Sequence, residues 1–130
     1  MINSNAYNYI NVLSAATNAS WIRNEVISNN LANVDTPNYK RKDVSFESYL
    51  YAQVAGGDSL DENIDNIELE SLVPMTHVDE SGLSYRMDGN NVDASTEEAE
   101  FAKNQLRYYT LLDSMGQEFK RLESVLTQTK

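Results

Sequence analysis

The groups most able to do chemistry in this chain are its carboxylates. Asp61, Glu62, Asp65, Glu68 and Glu70 crowd one short stretch, His77 is the sole imidazole, and Lys40, Arg41 and Lys42 form a basic triplet. Acid/base catalysis would need one of those carboxylates buried or fixed beside a charge, whereas a dense run of acids reads as a solvated face. A zinc site needs several His or Cys at set spacing, so His77 is expected to be an ordinary loop residue. Asp88, Asn90 and Asp93 around Gly89 have the composition of a calcium loop. The glycine is misplaced for an EF-hand, however, and the bidentate glutamate is missing. The basic triplet is too short for a nucleic-acid patch, and a local contact to phosphate or carboxylate fits it equally well. There is no Gly-rich phosphate loop and no Gly-x-Ser-x-Gly elbow. The reading is a non-enzyme with no catalytic residues, cofactor or metal.

Composition narrows the class further. A chain of 130 residues with 41% hydrophobic and 23% charged residues can form one domain with a modest core. No run of eighteen apolar residues is present, so direct membrane insertion is not expected. Residues 1–14 lack a basic segment and a continuous apolar core and are punctuated by Asn3, Asn5, Asn8 and Asn11. A cleaved secretory signal is therefore not expected. The absence of cysteine excludes disulfides, thiolate metal sites and cysteine nucleophiles.

The net charge of −10 is unevenly placed. Residues 1–57 carry four acids and four bases, residues 58–100 thirteen acids and one base, and residues 101–130 three acids and five bases. Near-neutral ends can pack against copies of themselves, and the acidic middle cannot. Nucleic acid is disfavoured as a partner, because phosphate contacts need clustered Lys and Arg.

These ends must supply the architecture. A first helix is expected from about Asn3 to about Asn33, roughly 45 Å long. One stripe collects Ile2, Ala6, Tyr9, Leu13, Ala16, Ile27 and Leu31, and a second collects Val12, Ala15, Ala19, Ile22 and Val26. Together they are wider than one partner helix needs, which suits either an ordinary bundle or contact with several neighbours in an assembly. Trp21 falls on the polar side, exposed or against another chain. The helix should stop at residues 33–39, where Pro37 disfavours helical geometry at Thr36, Asp35 can bond the backbone two residues on, and Asn38 tolerates positive φ. Val44, Phe46, Tyr49 and Leu50 follow in a stretch that is extended or helical.

A last helix should begin at a capping box of Ser95 and Glu98 and run for about 33 residues, or ~50 Å. Phe101, Tyr108, Leu112, Met115, Phe119, Leu122 and Leu126 form a heptad-like seam along it, with Ala99, Ala102, Leu106 and Tyr109 as a second, shorter face. Lys120, Arg121 and Lys130 sit near its negative end. The fold class is thus mainly α. Two long terminal helices, residues 1–34 and 95–130, form an antiparallel coiled-coil-like pair and act as one axial assembly domain. Residues 35–94 form a turn and an irregular acidic middle with room for a short β-hairpin. Such a pair buries too little alone. The middle, and residues 56–66 above all, is expected to add little core and to tolerate change.

One motif carries a family name. Residues 26–39, with Asn30-Leu31-Ala32-Asn33 followed by Thr36-Pro37 and Tyr39, resemble the N-terminal signature of the flagellar axial family of rod, hook and hook-associated proteins. Asn38 departs from it, standing where the family usually has Gly. Residues 87–93, Glu98, Glu100 and residues 102–108 are similar to those of a proximal basal-body rod protein. The resemblance covers roughly residues 8–50 and 85–128 and leaves 51–80 unexplained.

That resemblance implies a structural rod subunit that polymerises in a helical assembly, transmits motor torque, and contacts other rod proteins and the adaptor to the MS ring. It implies export by the flagellar type III apparatus without a cleaved signal, residence in the periplasmic rod of the basal body, and terminal segments that order on assembly. Leu13, Val26, Ile27 and Leu31, with the seam from Phe101 to Leu126, would be the assembly interface. The alternative from another class is a free-standing helical adaptor or secretion chaperone that uses the same faces on one partner.

Overall fold

The structure, a computed structural model, describes residues 7–57, 59–80 and 86–128. The expectations placed on Ile2, Asn3, Ala6 and Lys130 lie outside the described residues. Helix α1 (Asn8–Ala32) and helix α4 (Ala94–Thr127) are the two long elements, about 37 and 51 Å at 1.5 Å per residue. They pair antiparallel. Asn30 reaches Glu97 near one end, Asn24 meets Asn104, and Trp21 lies against Tyr108 further along.

α1 ends as the sequence requires. Asn33 caps it, with its backbone N–H shared between the carbonyls of Asn29 and Asn30, both at 3.1 Å. Asn38 then adopts a φ of 61°, the left-handed conformation expected for it. The start of α4 differs from expectation. The helix begins one residue early, and Asp93, not Ser95, is the cap. Its carboxylate accepts from the N–H groups of Ser95 at 3.0 Å and Thr96 at 3.4 Å. A carboxylate at the positive end of the helix dipole is a stronger acceptor than a hydroxyl, and Asp93 has the extended backbone a cap needs.

Between the long helices lie strand β1 (Lys42–Ser45), helix α2 (Glu47–Val54), helix α3 (Leu60–Asp65), a 3₁₀ turn (Leu69–Ser71) and strand β2 (Met75–Val78). The ambiguous stretch 44–50 is thus both, extended to Ser45 and helical from Glu47. β1 and β2 pair antiparallel, with Asp43 opposite His77 and Val44 opposite Thr76. His77 is therefore a strand residue and not a loop residue, with its Nδ1 3.1 Å from the Ser45 hydroxyl.

The expectation that the middle buries little is overturned. Phe46, Ile64, Ile67 and Leu72 are buried in one cluster with Val12, Ala16 and Ala19 of α1, flanked by Leu50, Val54, Leu69 and Leu111. Acids are interspersed with the apolar residues of the middle, but its short helices turn several of the apolar ones inward. Ser59 caps α3 by accepting from the Glu62 N–H, and the Tyr9 hydroxyl bonds Asp61 across to α1. The middle thus supplies the third layer that a helix pair lacks.

Ile64→Ala should cost about 2–4 kcal/mol, the ordinary loss for a buried aliphatic side chain, whereas Leu60→Ala, at a half-exposed position on the same helix, should stay within about 0.5 kcal/mol. Urea denaturation followed by circular dichroism measures both.

Candidate functional site

Two stretches distant in sequence, 30–42 and 86–97, close into one polar site at the junction of α1, β1 and α4. At its centre is Asn30, on the last turn of α1 and fully buried. Its Nδ2 donates to the Lys42 carbonyl at 2.8 Å and to Glu97 Oε2 at 3.1 Å. Its Oδ1 accepts from the Lys42 N–H at 3.0 Å and from the Tyr39 hydroxyl at 3.2 Å. Both amide hydrogens and both lone pairs are thereby used, so only asparagine completes the set.

Glu97, in the first turn of α4, is also fully buried, and its other oxygen receives Arg41 Nε. Arg41 extends to Asp79 at 2.6 Å and Asp43 at 3.2 Å. Asp43 in turn accepts from Arg23 at 2.9 Å, and Arg23 reaches Glu100 at 3.2 Å. Two guanidinium groups are thus threaded among four carboxylates, tying α1, β1, the residue after β2 and α4 together. Burial alone would lower the pKa of Arg41 and of Arg23. The bonds and charges of Glu97 and Asp43 outweigh it for Arg41, and those of Asp43 and Glu100 for Arg23, so both are held above the ordinary value. Burial likewise pushes Asp43 up, but Arg23, the Val44 N–H and Arg41 hold it below the usual carboxylate range.

Asn90 organises the other half. Fully buried, its Nδ2 lies 2.8, 3.0 and 2.9 Å from the carbonyls of Asn33, Val34 and Thr36, and its Oδ1 takes the Val92 N–H at 2.8 Å. The end of α1 is thus capped by a side chain from the far side of the middle region. Arg86 adds a bond to the Val34 carbonyl at 2.8 Å, and the Asn38 N–H donates to the Asp88 carbonyl at 2.8 Å. Gly89 has a φ of 75°, which strains any L side chain, and a Cβ there would stand 2.7 Å from Asn38 Oδ1 and push that amide aside. Asn91 bridges the Arg41 N–H at 2.6 Å and the Asp79 carbonyl at 2.8 Å.

Of the signature residues, the site gathers Asn30, Asn33 and Tyr39. Thr36 bonds the Asn33 side chain at 3.1 Å, while Pro37 and Ala32 are exposed. Within this site no hydroxyl nucleophile among the described residues is paired with a base, and the Ser45–His77 contact lies outside it on the sheet. Among the described residues no group of three or more His, Cys, Asp or Glu is placed to bind a metal ion, and no helix is long and apolar enough to cross a membrane. Its chemistry is that of a clamp.

The expected interface residues are spread differently. Val26 and Ile27 are buried; Leu13, Leu31, Phe101, Tyr108, Met115 and Leu122 are half-buried; Leu112, Phe119 and Leu126 are exposed. The only α4 side chains fully buried are Glu97 and Asn104. Trp21 is half-exposed beside Tyr108, with ring centroids 6.0 Å apart. Sequence reasoning missed Glu97, Asn90 and Asn104 as buried residues. Glu97 stands among acids that read as solvated, and polar residues in a helical pattern are assigned to water unless a partner is known. For Arg41, the option of a local carboxylate contact pointed the right way.

Comparison with known proteins converges on one family. The family model of flagella basal body rod proteins matches residues 10–40, the stretch that contains Asn30 and Tyr39. The flagellar basal body rod protein FlgB of Bacillus subtilis is 36% identical over 119 residues, covering 91% of this chain and 92% of that protein. The FlgB proteins of Borreliella burgdorferi and Escherichia coli are 31% and 32% identical, covering 93% and 85% of this chain.

Two outcomes test the clamp. Asp43 has a depressed folded pKa, so its stabilisation is complete above the unfolded value near ~3.9 and is lost as pH falls through the folded one. Urea midpoints of the native chain should therefore drop between pH 6 and pH 3, and Asp43→Asn should be weaker at pH 6 with a smaller drop. At the turn, Asn38→Gly should match the native chain, whereas Asn38→Val should lose about 1–3 kcal/mol, because a β-branched residue is strained at positive φ.

Proposed function

The chain belongs to the FlgB family of flagellar basal body rod proteins, and on that premise we propose that it builds the proximal rod through the outer faces of its terminal helices and transmits motor torque through them. It is a structural component of the flagellar basal body, and its relatives are rod proteins and not enzymes.

The observation that carries the polymerisation reading is the inverted burial of α4. A helix that folds against its own chain normally turns apolar residues inward. Here Leu106, Tyr109, Leu112, Phe119, Val125 and Leu126 are exposed, while Glu97 and Asn104 are buried. Such apolar exposure along one helix marks an interaction surface. The middle region covers one side of the α1/α4 pair, through Phe46, Leu50 and Leu111. Trp21 and Phe101 lie beside an open groove elsewhere on the pair. Neighbouring subunits would occupy that open side in a heterologous, helical array, with other rod proteins and the MS-ring adaptor at its ends. Export through the flagellar type III apparatus without a cleaved signal belongs to the same proposal, as does a position in the periplasmic part of the rod.

Leu112→Asp tests it. Residue 112 is partly exposed in the single chain, so the variant should fold and be exported normally. In a packed array the carboxylate would be desolvated without a partner at a cost of roughly 3 kcal/mol or more per contact, and rods should not form. Glu123→Lys, at an exposed position, should leave assembly intact. Electron microscopy of isolated basal bodies, with secreted protein quantified in parallel, reads the result. Normal rods with Leu112→Asp would remove this helix face from the assembly.

A further inference from the structure

Asn104 lies midway along the α1/α4 pair with no exposed surface. Its Nδ2 donates to the Ser20 carbonyl at 2.7 Å and to Asn24 Oδ1 at 2.9 Å. The Ser20 carbonyl can only accept, so the nitrogen must point there and the amide orientation is fixed. The Oδ1 on the other side meets no donor among the described residues. A buried acceptor without a partner is unfavourable, and a leucine of similar size would fill the place at lower cost. Asn104 therefore holds a position where stability alone favours an apolar side chain.

We propose that Asn104 selects the helix pairing of this chain, admitting α1 in one register and disfavouring slid or copy-to-copy pairings of the same surfaces. A buried polar residue in a helix seam fixes register and partner at the expense of stability. The geometry supplies the discrimination. Slid by seven residues, Asn104 would face Thr17 or Leu31 in place of Asn24. Thr17 carries its acceptor oxygen on a shorter side chain than Asn24, with the hydroxyl proton given to the Leu13 carbonyl at 2.7 Å, and Leu31 offers no side-chain acceptor. Glu97, one heptad before Asn104, would leave Asn30 and Arg41 in the same slide. The half-buried apolar residues of α4, Phe101, Tyr108 and Met115, impose no such restriction, because apolar contact is non-directional. The selection holds whatever the chain assembles into, so it stands apart from the rod reading.

Engineered disulfides test it cleanly, because the chain has no cysteine of its own. Trp21→Cys with Tyr108→Cys reports the native register, and Trp21→Cys with Met115→Cys reports a slide of one heptad. Each pair is oxidised in the full-length chain with Asn104 and with Asn104→Leu, and products are resolved by mass. With Asn104, the 21–108 pair should close within one chain and the 21–115 pair should stay open. Asn104→Leu should raise Tm, and the yield of 21–115 disulfide or of disulfide-linked dimer should rise roughly tenfold, the change expected when one buried polar contact of ordinary size stops discriminating. Should Asn104→Leu lose its helical signal, Asn24→Leu combined with Asn104→Leu is read in the same way. Monomeric 21–108 disulfide as the sole product in the leucine variants, or 21–115 closure equally fast with Asn104 present, would overturn the proposal.

Discussion

Glu97 is a carboxylate with no exposed surface, in the first turn of a 34-residue helix. Removing such a group from water costs several times the usual net value of a hydrogen bond unless a cation and donors meet it. Here the cation is Arg41 and the second donor is Asn30. Satisfying that one group fixes the end of α1, the start of β1 and the entry of α4. Arg41 must leave the turn toward the helix junction, and it then gathers Asp43, within β1, and Asp79, just after β2. Asn30 must sit edge-on to Lys42, which places β1 along α1. The signature Asn30 to Tyr39 is thus the sequence trace of a buried charge located sixty residues away.

The rest of α4 follows a different logic. Its contact with α1 is polar at Glu97 and Asn104 and apolar at Tyr108, which meets Trp21, and near Leu111, where the middle region also arrives. The pair is specific without being deeply buried. A helix held by directional bonds keeps its apolar residues for other surfaces, and this division of labour suits a component whose family builds a rod. The acidic middle has a matching role. It spends a handful of apolar side chains on α1 and turns its charges to water, which discourages copies from associating through that side.

Much of this was legible in the sequence. The two long helices, their antiparallel pairing, the turn at Pro37 and the positive φ of Asn38 follow from periodicity and backbone sterics, which are local. The Asn-rich motif pointed to the right family. What was not legible is long-range. Nothing near Glu97 distinguishes it from Glu98, which is exposed, since the difference lies in Arg41, fifty-six residues earlier. Ile64, Ile67 and Leu72 are spaced by turns and not by one helical period, so their common inward direction appears only when α3 and the 3₁₀ turn are folded back on α1. Asp93 displaced Ser95 as the cap because both residues can cap, and only the backbone angle decides.

The cap on α1 has a consequence for the order of events as the chain is made. Asn90 holds three carbonyls at the end of α1 from 54 to 57 residues away, and Glu97 reaches Asn30 across 67. Helices ordinarily close their ends with neighbouring residues, and that can happen as soon as the segment emerges. This one cannot. Until residue 97 is available, α1 has an open end, Arg41 has lost its buried partner, and most of α4 does not exist. Contacts of such separation make folding slow and late, because the loop must close before it is rewarded. The N-terminal helix can pack against residues 42–72 earlier, but its end gains the ties to Asn90 and Glu97 only with the arrival of the last helix.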